Sequence, residues 1–450
     1  MAIKIKNNMH RNLLKFIVLF SLMGNAQIVK ADDFRILNME REALQCRIDL
    51  IARAQKEILI STYIIREDEV GLGLLQLMIK KAEKGVKVRL ILDAFGNDVS
   101  GELLNYLKER KIEVHLFNKV QLFQLHILTN RMHEKVLLTD NENLIVGGRN
   151  LSNDYFKIDS TGNFLDTELF AKSKDVSREL RIHFYEMWNR RRLTKKPSRV
   201  RLDDEMRAHW KKRLEEGLSQ LLKKARVKPN SDIDWAATSS TAKVHATYDN
   251  FVSDSSVAII PTEKKNLRGT LQLIALLDSA KTSIDFKNPY FHPTKLWMKA
   301  IKSAISRGVK VRLLTNSECT TDVLLMQAVY RRSRPKYLKM GVEIWEYEGQ
   351  EYLHTKSIIL DSTITVIGSY NIHIVSQKNN TEVCLWVNDK TFGKQNIHYL
   401  DNNLTSAKHI EAIKHNLTNI HFDKHPKCPK KACKYRLYVR LFAPFMSWFM

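Results

Sequence analysis

The sequence predicts an α/β protein made of two tandem copies of one domain, each a mixed sheet flanked by helices. Three observations predict it. The stretch Gly-Val-Lys-Val-Arg-Leu starts at Gly85 and again at Gly308. The set His133-x-Lys135-x₄-Asp140 returns as His354-x-Lys356-x₄-Asp361. The two offsets, 308 − 85 = 223 and 354 − 133 = 221 residues, nearly agree, so the repeat extends well beyond either motif. Strand-like and helix-like stretches also alternate in the same order in both halves, as a helix-covered sheet requires.

Each element has a readable cause. In the first half, Gln55 to Tyr63 is rich in β-branched and apolar residues and reads as a strand. Gly73 to Lys84 reads as a helix, and Gly85 to Leu92 as the next strand. Lys281 to Tyr290, Lys295 to Arg307 and Gly308 to Leu314 repeat that order. Ile112 to Phe117 and Val342 to Tyr347 supply a third strand in each half. The motif itself alternates from Met132 to Leu138, which puts His133 and Lys135 on one face of a strand. Asp140 and Asn141 make the turn, and Gly147-Gly148 lets the returning chain bend Asn150 towards His133. Asn118 to Met132 is longer than its counterpart before His354 and is expected to shape access to the site.

The expected organisation is residues 1–26 as a signal peptide or short N-terminal anchor, 35–193 as the first domain, 194–248 as a connecting helix and linker, 249–400 as the second domain, and 401–450 as a basic, apolar C-terminal extension. The N-terminus carries Lys4, Lys6, Arg11 and Lys15, then an apolar run over residues 16–23 and small residues at Gly24 and Ala26. That run is shorter than the roughly 20 apolar residues needed to span a bilayer, which favours an export signal.

Composition narrows the partners. With 73 Lys and Arg against 49 Asp and Glu, the chain carries +24. Such an excess favours polyanionic partners, either an anionic lipid surface or nucleic acid. Five cysteines are too few for a disulfide framework. Cys428 and Cys433 are close enough for one bridge in an exported protein. Their spacing to His421 and His425 matches no standard zinc module.

The motif residues fit the chemistry of a phosphodiester. One neutral His can attack phosphorus and form a covalent phosphohistidine. A second, protonated, can donate to the leaving oxygen and then activate an acceptor. Lys135, Lys356, Asn150 and Asn371 are suited to bind the non-bridging oxygens. Glu168 and Glu382, in Asp166-Thr-Glu168 and Asn380-Thr-Glu382, are expected to hydrogen-bond the far nitrogen of each His. No carboxylate cluster has two-metal spacing, so no metal is expected.

These residues resemble the phospholipase D superfamily, whose signature is His-x-Lys-x₄-Asp followed by Gly-Ser-x-Asn. Gly368-Ser369-Tyr370-Asn371 fits it fully, whereas the first copy reads Gly147-Gly148-Arg149-Asn150. Asn130-Arg131-Met132-His133, Asn153-Asp154-Tyr155-Phe156, Asn288-Pro289-Tyr290-Phe291 and Thr321-Asp322 are similar to the bacterial cardiolipin synthase branch. The resemblance implies two motifs meeting at the domain interface, so one chain completes the site and needs no oligomer. It implies phosphatidyl transfer through a phosphohistidine, without a cofactor, with His133 as nucleophile and His354 as acid and base. Asp140, Asp361 and Ser369 join the site residues on the same ground. The implied partners are phospholipids and an anionic membrane surface in the bacterial cell envelope, or outside the cell. Hydrolysis to phosphatidic acid is the nearest alternative. A nuclease of the same superfamily is a further one, disfavoured because small nucleases of this kind carry one motif per chain.

Overall fold

The computed structural model describes residues 31–118, 130–190, 193–235, 242–254 and 262–411. The expected signal, most of the loop before His133, Cys428, Cys433 and nearly all of the C-terminal extension fall outside these residues. In chain order the first half supplies β1 (Asp33–Leu37), β2 (Glu57–Thr62), β3 (Lys87–Asp93), β4 (Ile112–Phe117), β5 (Arg131–Met132), β6 (Lys135–Thr139), β7 (Asn143–Gly147), β8 (Phe164–Leu165), β9 (Glu168–Lys172) and β10 (Thr194–Lys195). The second half supplies β11 (Val244–Asp254), β12 (Thr262–Asn266), β13 (Ser283–Lys287), β14 (Lys310–Asn316), β15 (Val342–Tyr347), β16 (Tyr352–Leu353), β17 (Ser357–Leu360), β18 (Ile364–Gly368), β19 (Asn380–Asn388) and β20 (Ala407–Ile410).

Among the described residues, one sheet runs β1-β9-β7-β6-β2-β3-β4-β10 and the other β12-β11-β19-β18-β17-β13-β14-β15-β20. The path β9-β7-β6-β2-β3-β4 is matched by β19-β18-β17-β13-β14-β15, so the repeat seen in sequence is a repeat of topology. In each sheet three strands are parallel, β2-β3-β4 and β13-β14-β15, and the motif hairpin joins them antiparallel. The parallel strands cross over through helices. Helix Lys295–Ser306 buries Trp297, Ala300, Ile301 and Ala304, the apolar stripe of a 3.6-residue period. Gly85 and Gly308 then end their helices with φ of 90° and 85°, which explains why both repeats of Gly-Val-Lys-Val-Arg-Leu begin with glycine.

The sheets share a core. Leu59, Val136, Leu144 and Leu169 of the first pack in one cluster with Ile367, Val383, Leu385 and Val387 of the second, under helix Lys174–Trp188. The connecting helix, Asp204–Ala225, is less solvated than its charge suggests. It buries Trp210, Leu214, Leu218 and Leu221 against the first domain, and Gly73 and Gly217 let it lie close to helix Glu69–Glu83. Among the described residues no helix is long and apolar enough to cross a membrane. Cys319 is disulfide-bonded, and Cys46 and Cys384 are free and buried.

Candidate active site

Each motif strand begins in the other copy's territory. β5, just before His133, pairs in parallel with β19, with Arg131 opposite Asn380 and Met132 opposite Thr381. The chain then crosses over, and Lys135 opens β6 in its own sheet. The second motif does the same. β16 pairs in parallel with β8, and His354 N–H donates to Leu165 O at 2.9 Å. Each His therefore sits where the chain passes from one domain to the other, in a break of the strand rather than within a continuous one.

That crossing is clamped from below. Buried Asp93, at the end of β3, accepts from Met132 N–H at 2.8 Å. Asn316, at the end of β14, accepts from Leu353 N–H at 3.0 Å and donates to Leu353 O at 2.8 Å. In both copies the residue before the His is fixed by the same sheet position. Neither clamp was evident from the motif.

The strand pairings carry each carboxylate to the opposite His. His133 Nδ1 lies 3.0 Å from Glu382 Oε2, and His354 Nδ1 lies 2.6 Å from Asp166 Oδ2. With Nδ1–H donated to a carboxylate, each ring presents its Nε2 lone pair. Glu382 also accepts from Ser369 Oγ, from Ser376 Oγ at 2.6 Å and from Asn380 Nδ2 at 3.1 Å. Burial alone would raise its pKa, but His133, Lys135 and Ser369 outweigh that and hold it at about 2. Asp166 is likewise depressed despite its burial, by Lys356 and His354.

Expectation and structure part at four residues. Glu168 touches neither His. It is fully buried between Arg47, which reaches it with both terminal guanidinium nitrogens, and Arg149 at 3.4 Å. The register explains the slip: Gly147 pairs with Glu168 and Gly368 with Cys384, so the counterpart of Glu382 is Asp166. Matching the two Thr-Glu pairs shifted the reading by two residues. Ser369 is spent on Glu382, with no hydroxyl left free towards a phosphate. Gly148 stands in its place in the first copy because a Cβ there would overlap the Asp166 carboxylate. Arg149 Nη2 instead donates to Asp166 O.

Asp140 and Asp361 lie at the far end of their hairpins. Both open left-handed turns, with φ of 54° and 52°, followed by Asn141 and Ser362 at 64° and 51°. Asp140 accepts from the backbone N–H groups of Gln55, Lys56 and Glu57 at 2.7, 2.8 and 3.1 Å. Asp361 accepts from those of Lys281, Thr282 and Ser283 at 2.9, 2.7 and 2.9 Å. These carboxylates staple the hairpin to the start of the neighbouring strand. Strands of five and four residues, about 17 and 14 Å long, separate them from the reacting groups.

The other motif residues converge. Lys135 Nζ donates to His133 O at 2.6 Å, and Lys356 Nζ lies 2.7 Å from His354 Nδ1. Burial, partly offset by Glu382 and reinforced by Lys356, brings Lys135 down to about 7. Burial lowers Lys356 to about 8 against the pull of Asp166 and Asp322. Burial also lowers His133, to about 4, and His354, so both rings are neutral at pH 7. Asn150 Oδ1 accepts from Ile64 N–H at 3.2 Å, whereas Asn371 Oδ1 is buried without a hydrogen-bond partner among the described residues. Among the described residues no group of three or more His, Cys, Asp or Glu is placed to hold a metal.

Aromatic rings wall the site. Tyr63 stands 5.3 Å from His133 between ring centroids, and Tyr155 and Phe164 stand 5.3 and 5.2 Å from His354. Next to Tyr63, the Arg131 guanidinium lies 4.6 Å from the ring of Phe95, which is 72% exposed. Tyr63 and Phe95 carried no signal in the sequence, because a single aromatic is more often core than site.

The protein family described as "Cardiolipin synthase, PLD-like domain" matches residues 48–188 and 273–404. The chain belongs to this family. The two matched segments contain the two His-x-Lys motifs and both carboxylates, so this cardiolipin synthase-like chain carries the PLD-like domain twice. It is 28% identical over 414 residues to an uncharacterized protein of Helicobacter pylori (strain ATCC 700392 / 26695), covering 83% of this chain and 80% of that one. It is 27% identical over 367 residues to a cardiolipin synthase of Halalkalibacterium halodurans, covering 80% of this chain and 64% of that one. Cardiolipin synthase 2 of Bacillus anthracis is 26% identical over 422 residues, covering 93% and 73%. In structure the chain is similar to a phosphatidylserine synthase of Haemophilus influenzae Rd KW20, with a TM-score of 0.65, 12% identity and coverage of 92% and 94%. At that identity the likeness is one of fold, and the fold is shared along nearly the whole of both chains.

Proposed function

We propose that this chain is a phosphatidyltransferase acting on phospholipids at an anionic membrane surface of the bacterial envelope, in the manner of a cardiolipin synthase. The observation that carries it is the crossed pair: two neutral histidines, each oriented by a carboxylate of the other copy, with a lysine beside each. His133 Nε2 attacks phosphorus, forming a P–N bond as the P–O bond to the leaving alcohol breaks. The phosphate bound between the rings adds negative charge, which favours a protonated His354. His354 passes that proton to the leaving oxygen, then takes one from the acceptor hydroxyl, whose oxygen attacks the phosphohistidine and frees His133. Lys135, Lys356, Asn150 and Asn371 bind the non-bridging oxygens. Exposed Phe95 beside Arg131 and the charge of +24 favour a lipid surface over a soluble substrate.

The test is to incubate the purified protein with phosphatidylglycerol and phosphatidylethanolamine, and separately with plasmid DNA, with and without a chelator. Cardiolipin formed equally in both conditions is the expected result. Phosphatidic acid alone would make the chain a phospholipase D, with water as the acceptor. Nicked DNA with untouched lipid would overturn the lipid reading, and loss of turnover in chelator restored by added metal would overturn the metal-free mechanism.

The pH dependence follows from these buried groups. Lys135 and Lys356, near 7 and 8, lose the charge that binds phosphate as pH rises through those values. His133 becomes protonated, and so non-nucleophilic, only as pH falls through about 4. Thus kcat/KM, which reports groups of the free enzyme, is expected to rise as pH falls from 8, because His354, lowered by burial, must also be charged to act as acid, and to drop only as His133 becomes protonated near pH 4. A profile that climbs through pH 8 would contradict these assignments.

A further inference from the structure

Asp322 stands against the charge of its surroundings. It lies between β14 and helix Leu324–Met340, is exposed, and accepts a hydrogen bond from the hydroxyl of buried Tyr290. The Tyr290 ring is 6.4 Å from that of His354 and 6.3 Å from that of His373. The Asp322 charge reaches His354, Lys356 and Tyr155, so the carboxylate overlooks the His354 half of the site. Among the described residues it forms no ion pair, and Tyr290 is its hydrogen-bond partner.

A bare carboxylate beside a phosphate pocket opposes the binding of the phosphate. It is favourable only towards a group that donates hydrogen bonds. The His133 half is edged differently, by Arg131 and exposed Phe95. The two halves of a duplicated site therefore carry rims of opposite charge, although their His, Lys and carboxylate geometry is the same.

We infer that Asp322, tethered by Tyr290, binds the hydrogen-bond-donating alcohol half of the substrate over His354. That half is the hydroxyl of a glycerol head group or the ammonium of an ethanolamine one. The acyl-bearing phosphatidyl half then lies over His133, beside Arg131 and Phe95. Such an orientation puts the leaving or accepting oxygen at the ring that moves its proton. Asp322 is thus a specificity-determining residue, an inference that rests on the phosphodiester-transfer reading of the site.

The test compares wild type, Asp322→Asn and Tyr290→Phe on short-chain phosphatidylglycerol, phosphatidylethanolamine and phosphatidylmethanol, whose head group has no donor. Asp322→Asn is expected to lower kcat/KM about tenfold or more on the first two and by less than about twofold on the third, the size of a lost hydrogen bond to a charged group. Comparing the first two lipids shows which donor Asp322 takes. Tyr290→Phe should give the same pattern more weakly, with the melting temperatures of both variants near wild type. Equal losses on all three lipids, or no loss on any, would overturn the inference while leaving the transfer reading intact. Turnover of none of the three by wild type would overturn both.

Discussion

Alanine in place of His133 or His354 is expected to lower turnover by about 10⁴-fold or more while the protein stays folded. Each ring supplies a lone pair at Nε2 that its lysine neighbour does not replace, since Lys135 and Lys356, when charged, offer donors and no lone pair. The fold should tolerate the loss. Without His133, Glu382 keeps Ser369, Ser376 and Asn380, and without His354, Asp166 keeps the field of Lys356 and Arg149. The crossed carboxylates sharpen the prediction. Glu382→Gln turns an acceptor into a group that can donate to Nδ1. The His133 proton then moves to Nε2 and the nucleophilic lone pair is lost, at a cost of about 10²- to 10⁴-fold. Turnover of phospholipid, read beside a melting curve, checks all three. Residual activity within about tenfold of wild type in His133→Ala would place the nucleophile elsewhere.

Glu168→Ala is expected to destabilise the fold by about 3–5 kcal/mol with little change in turnover per folded molecule. Arg47, Glu168 and Arg149 are 5%, 0% and 0% exposed, and among the described residues Glu168 is the carboxylate that pairs with both guanidinium groups. Removing it leaves two buried cations facing each other, whereas neither His loses a contact. Arg149 would keep Leu37 O at 2.9 Å and Asn38 O at 3.0 Å, so the loss falls on charge rather than on hydrogen bonds. Urea unfolding measures the effect. A change below about 1 kcal/mol would mean that the pair is offset by solvent entering the core.

The contrast between Glu168 and Glu382 marks where sequence reading stops. Both follow threonine, and both are buried acids near a motif. Only the strand register shows that one neutralises two arginines and the other orients a histidine. Asp140 and Asp361 teach the same lesson in reverse. Their spacing from His and Lys is the same in both copies because each hairpin arm needs a turn of fixed chemistry at its end, so a recurring residue can record geometry rather than reaction.

What the sequence by itself determined was the duplication and the order of strands and helices, with a His and a Lys in each copy, because these depend on local periodicity and on two copies that can be compared. What only the tertiary structure decided was which acid serves which histidine, and that the copies exchange them. The exchange is made by β5 on β19 and β16 on β8, pairings between residues some 190 to 250 positions apart in the chain. Backbone hydrogen bonds between such distant segments leave no periodic trace in either one, so the site's wiring appears only when the two halves close on each other.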